Sequence, residues 1–252
     1  MSSGNVGGVD DARRAELAAN LAAARTRVDD AERAAGRSSG EVTLLVVTKY
    51  FPAADVLRLI ELGCGEFGES REPEASRKIA EVRAALGPGA SAQPVFDMIG
   101  SVQRKKARSV ARWARTVHSV DSAPLVEALQ RGARAALDAG ERTAPLGVLL
   151  QVSLDGDAAR GGVSIDGLPA LGDVVAGASD LHLRGLMAIA PLHGEREMWM
   201  AKLAGVHADF VRRFPDATVL SAGMSGDLDV AVKFGSTCVR VGTAILGLRP
   251  IP

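Results

Sequence analysis

Apolar positions along the chain change their period early. From about residue 10 to residue 37 the chain is rich in Ala, Arg and Glu, with Leu17, Leu21, Ala24, Val28 and Ala31 at three- and four-residue steps. That spacing predicts a long helix with one face packed on something. Residues 42–47, VTLLVV, are instead a continuous run of β-branched residues and leucine, as in a strand buried on both faces. The alternation then repeats. Further strands are predicted at 66–69, 95–99, 116–120, 146–152, 183–189, 218–221 and 238–241. Helices are predicted at 53–62, up to about 86, and at 103–113, 123–139, 168–178, 195–214 and 227–234. Gly-Thr-Ala-Ile-Leu-Gly at 242–247 follows the last strand.

Strands alternating with helices imply a parallel sheet with helical crossovers. Eight such units match the count of a closed (β/α)₈ TIM barrel, here with an additional N-terminal helix. An open doubly wound sheet would require a Gly-rich dinucleotide fingerprint, and none is present. The 252-residue length suits one barrel. Residues 1–8 are Gly/Ser-rich and expected to be disordered, leaving 9–252 as a single barrel domain.

Thirty Lys+Arg balance thirty Asp+Glu, so no net field draws the chain to nucleic acid or a membrane. The local cluster Arg104, Lys105, Lys106 and Arg108 reads as a solvated helix face. Cys64 and Cys238 are isolated in apolar contexts, without metal-ligand or disulfide spacing, which fits a reducing compartment. The N-terminus lacks the apolar core of a signal peptide, and no run of about 20 apolar residues occurs. A cytoplasmic location is expected.

In such a barrel the reactive groups lie at the C-terminal strand ends. Lys49 stands out there, because it follows an unbroken apolar run and is expected at the mouth of the core. Partial desolvation would favour its free amine as a nucleophile toward aldehydes, whereas a lysine snorkelling outward or pairing with Glu69 would be unreactive. Ser221, Gly223, Ser225, Gly242 and Thr243 are small residues at the ends of the seventh and eighth strands. Barrels commonly hold phosphate at that position. An amine beside a phosphate site suits pyridoxal 5′-phosphate (PLP) or a sugar-phosphate carbonyl. His118 lies at a strand end and could touch the pocket, and Asp121 is expected to cap the helix that follows it.

An ordered set of motifs carries a family resemblance. Thr-Lys occurs at 48–49, Phe-Gly-Glu at 67–69, Ile-Gly-x-x-Gln at 99–103 and Val-His-Ser-Val-Asp at 117–121. Leu-Arg-Gly-Leu-Met follows at 183–187, Ser-x-Gly-Met-Ser-x-Asp at 221–227 and Gly-Ser-Thr-x-Val-Arg-x-Gly-Thr-Ala-Ile at 235–245. In this order they resemble the pyridoxal phosphate homeostasis protein family, whose barrel is that of the alanine racemase N-terminal domain. The resemblance runs from the first helix to Gly247. It implies that Lys49 carries PLP as a Schiff base, that Ser225, Gly242 and Thr243 cradle its phosphate with Ser221 nearby, and that Arg240 faces its pyridine nitrogen. An arginine there weakens the ring as an electron sink.

Three departures from the family pattern bear on the pocket rim: Ser70 in place of Asn, Asp97 in place of His, and Lys105-Lys106 in place of Asn-Lys. Alanine racemase uses a tyrosine from a second domain as its second base. Here no second domain is expected, and the only tyrosine, Tyr50, adjoins Lys49, where strand alternation would point it the other way. The expectation is therefore a monomeric PLP carrier that serves PLP-dependent apo-enzymes transiently, with no catalytic or metal site of its own. The alternatives are a PLP-dependent amino-acid racemase of modest activity and a Schiff-base sugar-phosphate aldolase.

Overall fold

The computed structural model describes residues 6–87, 89, 93–191 and 194–249. Eight parallel strands close on one another in chain order. They are β1 (Thr43–Val47), β2 (Glu66–Glu69), β3 (Val95–Met98), β4 (Ala114–Val120), β5 (Leu146–Gln151), β6 (Leu181–Met187), β7 (Val219–Ser221) and β8 (Cys238–Val241). The helices are α1 (Val6–Ala34), α2 (Ala53–Glu61), α3 (Glu74–Leu86), α4 (Ala107–Trp113), α5 (Ala123–Asp138), α6 (Leu168–Ala176), α7 (Arg196–Arg213), α8 (Leu228–Lys233) and α9 (Thr243–Leu246). The expected barrel and N-terminal helix are both present. Of the segment expected to be disordered, residues 1–5 lie outside the described residues, while α1 already includes residues 6–8. Among the described residues no helix is long and apolar enough to cross a membrane.

Closure follows from the pairing of β1 with β8, where Leu45 lies opposite Arg240 and Val46 opposite Val241. Outward-facing strand residues such as Val46, Phe67, Phe96, Val117, Val239 and Val241 pack with the helices in one continuous core. Phe67 and Phe96 stack at 5.5 Å between centroids. The alternate set faces the barrel axis and is unusually polar: Asp97, Thr116, His118, Ser221 and Arg240 are all buried there. Barrels of this type generally fill that space with branched apolar side chains, so these polar groups call for a chemical explanation.

The apolar stripe of α1 (Leu17, Leu21, Ala24, Val28, Ala31) is buried. It packs against the last helices of the chain, and polar side chains reinforce the contact. Arg13 Nη2 donates to the Leu246 carbonyl at 3.0 Å, and Asn20 Nδ2 to that of Ile245 at 3.0 Å. Gly185 has φ of +147°, and a Cβ there would lie 1.9 Å from the Val219 carbonyl oxygen. Only glycine permits this approach of β6 to β7.

Candidate functional site

The site gathers at the C-terminal ends of β7, β8, β1 and β2, which are neighbours around the barrel. Lys49 stands two residues beyond β1 and is partly exposed. Among the described residues its amine forms no hydrogen bond or ion pair; its contact is the Tyr50 ring, 5.8 Å from Nζ. The alternative of a Lys49–Glu69 pair is not realised. Glu69 Oε1 accepts instead from Lys78 Nζ at 2.7 Å and from Thr48 Oγ1 at 2.7 Å. Lys78 also donates to the Thr48 carbonyl at 2.8 Å. A buried ion pair from α3 thus fixes the strand end, and the neighbouring Lys49 is left without a counter-ion among the described residues.

Tyr50 corrects an expectation. It lies past the end of β1, so strand alternation does not govern it. Its φ of +71° is the one positive value at a non-glycine among the described residues. For a bulky side chain this conformation is strained. The turn swings the ring back toward Lys49, where the guanidinium groups of Arg249 and Arg71 lie 4.0 and 5.1 Å from its centroid. A cavity of about 230 Å³ beside Lys49 is walled by Tyr50, Phe51, Glu69, Ser70 and Arg71, with Glu74 and Lys78 from α3. It borders β1, β2 and α3 rather than β7 and β8.

Arg240 is 6% exposed inside the barrel. Its Nη1 donates to the Ser221 carbonyl at 2.8 Å and to Ser221 Oγ at 2.7 Å, and its Nη2 donates to the Ala188 carbonyl at 2.9 Å. These bonds leave part of the donor fork unspent. Burial depresses the pKa of this guanidinium. Ser221 Oγ lies 3.1 Å from His118 Nδ1, and His118 Nε2 lies 3.3 Å from Asp97 Oδ2. Burial above all pushes the imidazole below its ordinary value, against the pull of Asp97. Burial acts the other way on Asp97, but hydrogen bonds from His118 and Arg115 hold its carboxyl below the usual range. Asp97 is therefore not a rim residue: it is 2% exposed within the barrel.

Ser225 sits in the turn after β7, where Asp227 Oδ1 accepts from the Met224 N–H at 2.6 Å. Arg27 of α1 donates to the Ser225 carbonyl at 2.6 Å, which ties this turn to the first helix. Gly242 lies against β1, where a Cβ would meet the Val47 carbonyl oxygen at 3.1 Å. Thr243 opens α9, whose first N–H groups have no partner within the helix. The structure thus joins Ser221 to Arg240 directly. Ser225, Gly242 and Thr243 share the same end of the barrel, and no hydrogen bond among the described residues links any of them to Lys49.

Asp121 does not cap α5. The N-cap is Ser122, without a side-chain bond, and the Asp121 carboxylate accepts from the Gly162 N–H at 3.4 Å, tying down the loop after β5. Of the other histidines, His182 is exposed and His193 lies outside the described residues. Sequence reasoning missed Lys78, although a signal existed: with Ala75, Ile79 and Val82 it occupies the buried stripe of α3. Among the described residues no cluster of His, Cys, Asp and Glu could hold a metal ion.

Comparison with known proteins adds four findings. The family model described as "Alanine racemase, N-terminal domain" matches residues 17–250. A pyridoxal phosphate homeostasis protein of Mycobacterium tuberculosis (strain ATCC 25618 / H37Rv) is 50% identical over 243 residues, 94% of each chain. Among solved structures, PipY of Synechococcus elongatus PCC7942 with PLP bound is 31% identical, with a TM-score of 0.77 over 92% of this chain and 100% of its own. An unknown protein from Bifidobacterium adolescentis is 29% identical, with a TM-score of 0.83 over 93% of this chain and 96% of its own.

Proposed function

The chain belongs to the pyridoxal phosphate homeostasis protein family, and on that premise we propose that it holds PLP as a Schiff base on Lys49. In this reading it keeps PLP and the linked amino and keto acids in balance in the cytoplasm. It acts as a monomer, without strong catalysis of its own, and passes PLP transiently to apo-enzymes.

The observation that carries the reading is a pair of unlike cations on neighbouring strands. Lys49 has an amine with no counter-ion among the described residues, and Arg240 has a guanidinium buried and clamped by Ser221 and Ala188. When bound, PLP supplies an aldehyde and an electron-withdrawing ring. The Lys49 amine is placed to hold the aldehyde carbon. Arg240 can only donate, so it favours a ring nitrogen that accepts, and a ring held that way is a poor electron sink. Ser225, Gly242 and the open first turn of α9 beginning at Thr243 offer hydroxyl and N–H donors to a phosphate. These groups suit PLP in kind and in their order around the barrel.

One observation favours a second reading. The Tyr50 ring lies 5.8 Å from Lys49 Nζ, close enough for an amino-acid racemase of modest activity to be considered. Two measurements separate the readings. The visible spectrum of the purified protein, followed by borohydride reduction and peptide mapping, is expected to show yellow protein with the label on Lys49. Lys49→Ala is expected to abolish both. Colourless protein that PLP cannot reconstitute would overturn the proposal and favour the sugar-phosphate aldolase. Incubation with a panel of L-amino acids in D₂O is expected to leave the α-hydrogen unexchanged, whereas exchange at catalytic rates would favour the racemase.

A further inference from the structure

Beneath Arg240 a line of buried polar groups crosses the barrel from β8 to β3. Arg240, Ser221, His118 and Asp97 are exposed by 6, 0, 2 and 2%. The successive heavy-atom separations are 2.7, 3.1 and 3.3 Å. Asp97 is anchored at the far end by Arg115, whose Nε and Nη2 donate at 2.9 and 2.6 Å, and by the Thr116 N–H at 3.1 Å.

Chemistry fixes the direction of every proton in this line. An Asp97 carboxylate bonded to Arg115 only accepts, so His118 must carry its hydrogen on Nε2. A fully buried imidazole with one hydrogen then presents a lone pair on Nδ1. Ser221 must donate its only hydroxyl hydrogen to that lone pair. Its oxygen is thereby left with lone pairs alone for Arg240, which can only donate. Each assignment follows from its neighbour, and the reverse direction would set the Ser221 O–H against an Arg240 N–H.

We propose that Asp97, His118 and Ser221 are positioning residues, a directed relay that holds the free donor edge of Arg240 toward the ring nitrogen of the bound cofactor. The proposal rests on the reading of Lys49 as the anchor for PLP. It also assigns a role to Asp97, which replaces the family's usual His: a carboxylate locks one tautomer of His118, which a second imidazole would leave open. Ser221 is bonded to Arg240 twice, through carbonyl and hydroxyl, so Ser221→Ala severs the relay while keeping one bond to the guanidinium.

The test uses the full chain with ¹⁵N-labelled histidine, and separately with PLP labelled at the ring nitrogen. In wild-type protein without PLP, His118 is expected as the Nε2–H tautomer, and Asp97→Asn is expected to lose that preference. With labelled PLP bound, Asp97→Asn and Ser221→Ala are each expected to displace the ring-nitrogen resonance. They are also expected to weaken PLP binding by about tenfold, or about 1.4 kcal/mol. The double variant should add little to either single one, because both cut the same line. A wild-type Nδ1–H tautomer, or a ring resonance unmoved in variants that still bind PLP, overturns the relay. If Asp97→Asn fails to fold, Ser221→Ala decides by the same resonance. Wild-type protein that takes up no PLP sinks the functional reading alone, and the tautomer measured without PLP still decides the relay.

Discussion

Replacing Lys78 with Met tests whether the ion pair beneath the strand end holds Lys49 in place. The side chains of Lys78 and Glu69 are 11 and 4% exposed and 2.7 Å apart. Met preserves most of the stem within the apolar stripe of α3 but deletes the bonds to Glu69 and to the Thr48 carbonyl. That carbonyl keeps the Phe51 N–H, at 3.1 Å. The larger loss falls on Glu69, whose buried carboxylate retains the Thr48 hydroxyl and, among the described residues, no cation. Removing one partner of a buried pair costs about 3–5 kcal/mol. The residual exposure of Lys78 lets water reach the site, so the lower end applies. In a domain of this size about 3 kcal/mol corresponds to a fall in Tm of roughly 6–12 °C. Thermal unfolding followed by circular dichroism reads this directly, and PLP uptake should slow in parallel because Thr48 precedes Lys49. The double variant Lys78→Met/Glu69→Gln, with no buried charge left, should recover most of the loss. A Lys78→Met protein melting within about 2 °C of wild type, under about 1 kcal/mol, would refute the reasoning.

Two further predictions concern glycine and pH. Gly185→Ala should cost more than about 4 kcal/mol or yield insoluble protein, because its Cβ would sit 1.9 Å from a backbone oxygen. Gly205→Ala in α7, where a Cβ meets nothing within 4 Å, should instead stabilise by about 0.5–1 kcal/mol; urea unfolding of both variants checks the contrast. Stability should also fall on acidification below about pH 6.5, the ordinary value from which His118 is lowered. There the unfolded chain binds a proton that the folded chain refuses, for a slope of up to about 1.4 kcal/mol per pH unit. The depressed Asp97 acts with the same sign at lower pH, its contribution present above 3.8 and lost as pH falls through its folded value. His118→Gln should flatten the slope just below pH 6.5 in urea titrations, and an unchanged slope would show that His118 does not carry it.

The barrel was legible because each strand run and each helical stripe announces itself locally. The edges drifted where local signals overlap: β4 begins at Ala114, directly after Trp113 closes α4, and a 3₁₀ turn at Arg104–Lys106 precedes that helix. Lys49 was legible as a cation following an apolar run. The role proposed for Arg240 came only through family resemblance, since one arginine in a strand does not reveal what faces it. The line from Ser221 to Asp97 was hidden for a geometric reason. It joins β7, β4 and β3, and register irregularities lie on both sides of β4, so alternation counted along the chain does not say which side chains meet. The same register sets Asp97 inside the barrel, away from the rim that its place in the motif suggests. At Tyr50 and Asp121 a turn with positive φ and a contact 41 residues away override what adjacent residues suggest.

The docking of α1 has a consequence for the order of assembly during synthesis. Its bonds to Leu246, Ile245 and Ser225 span 233, 225 and 198 residues. A chain growing at about 5–20 residues per second exposes the apolar face of this helix for roughly 10–50 s before its partners exist. Barrel closure between β1 and β8 must wait as long. Helix α1 emerges before these partners and finds its place only after them, and the turn carrying Ser225 acquires its Arg27 clasp when that helix docks.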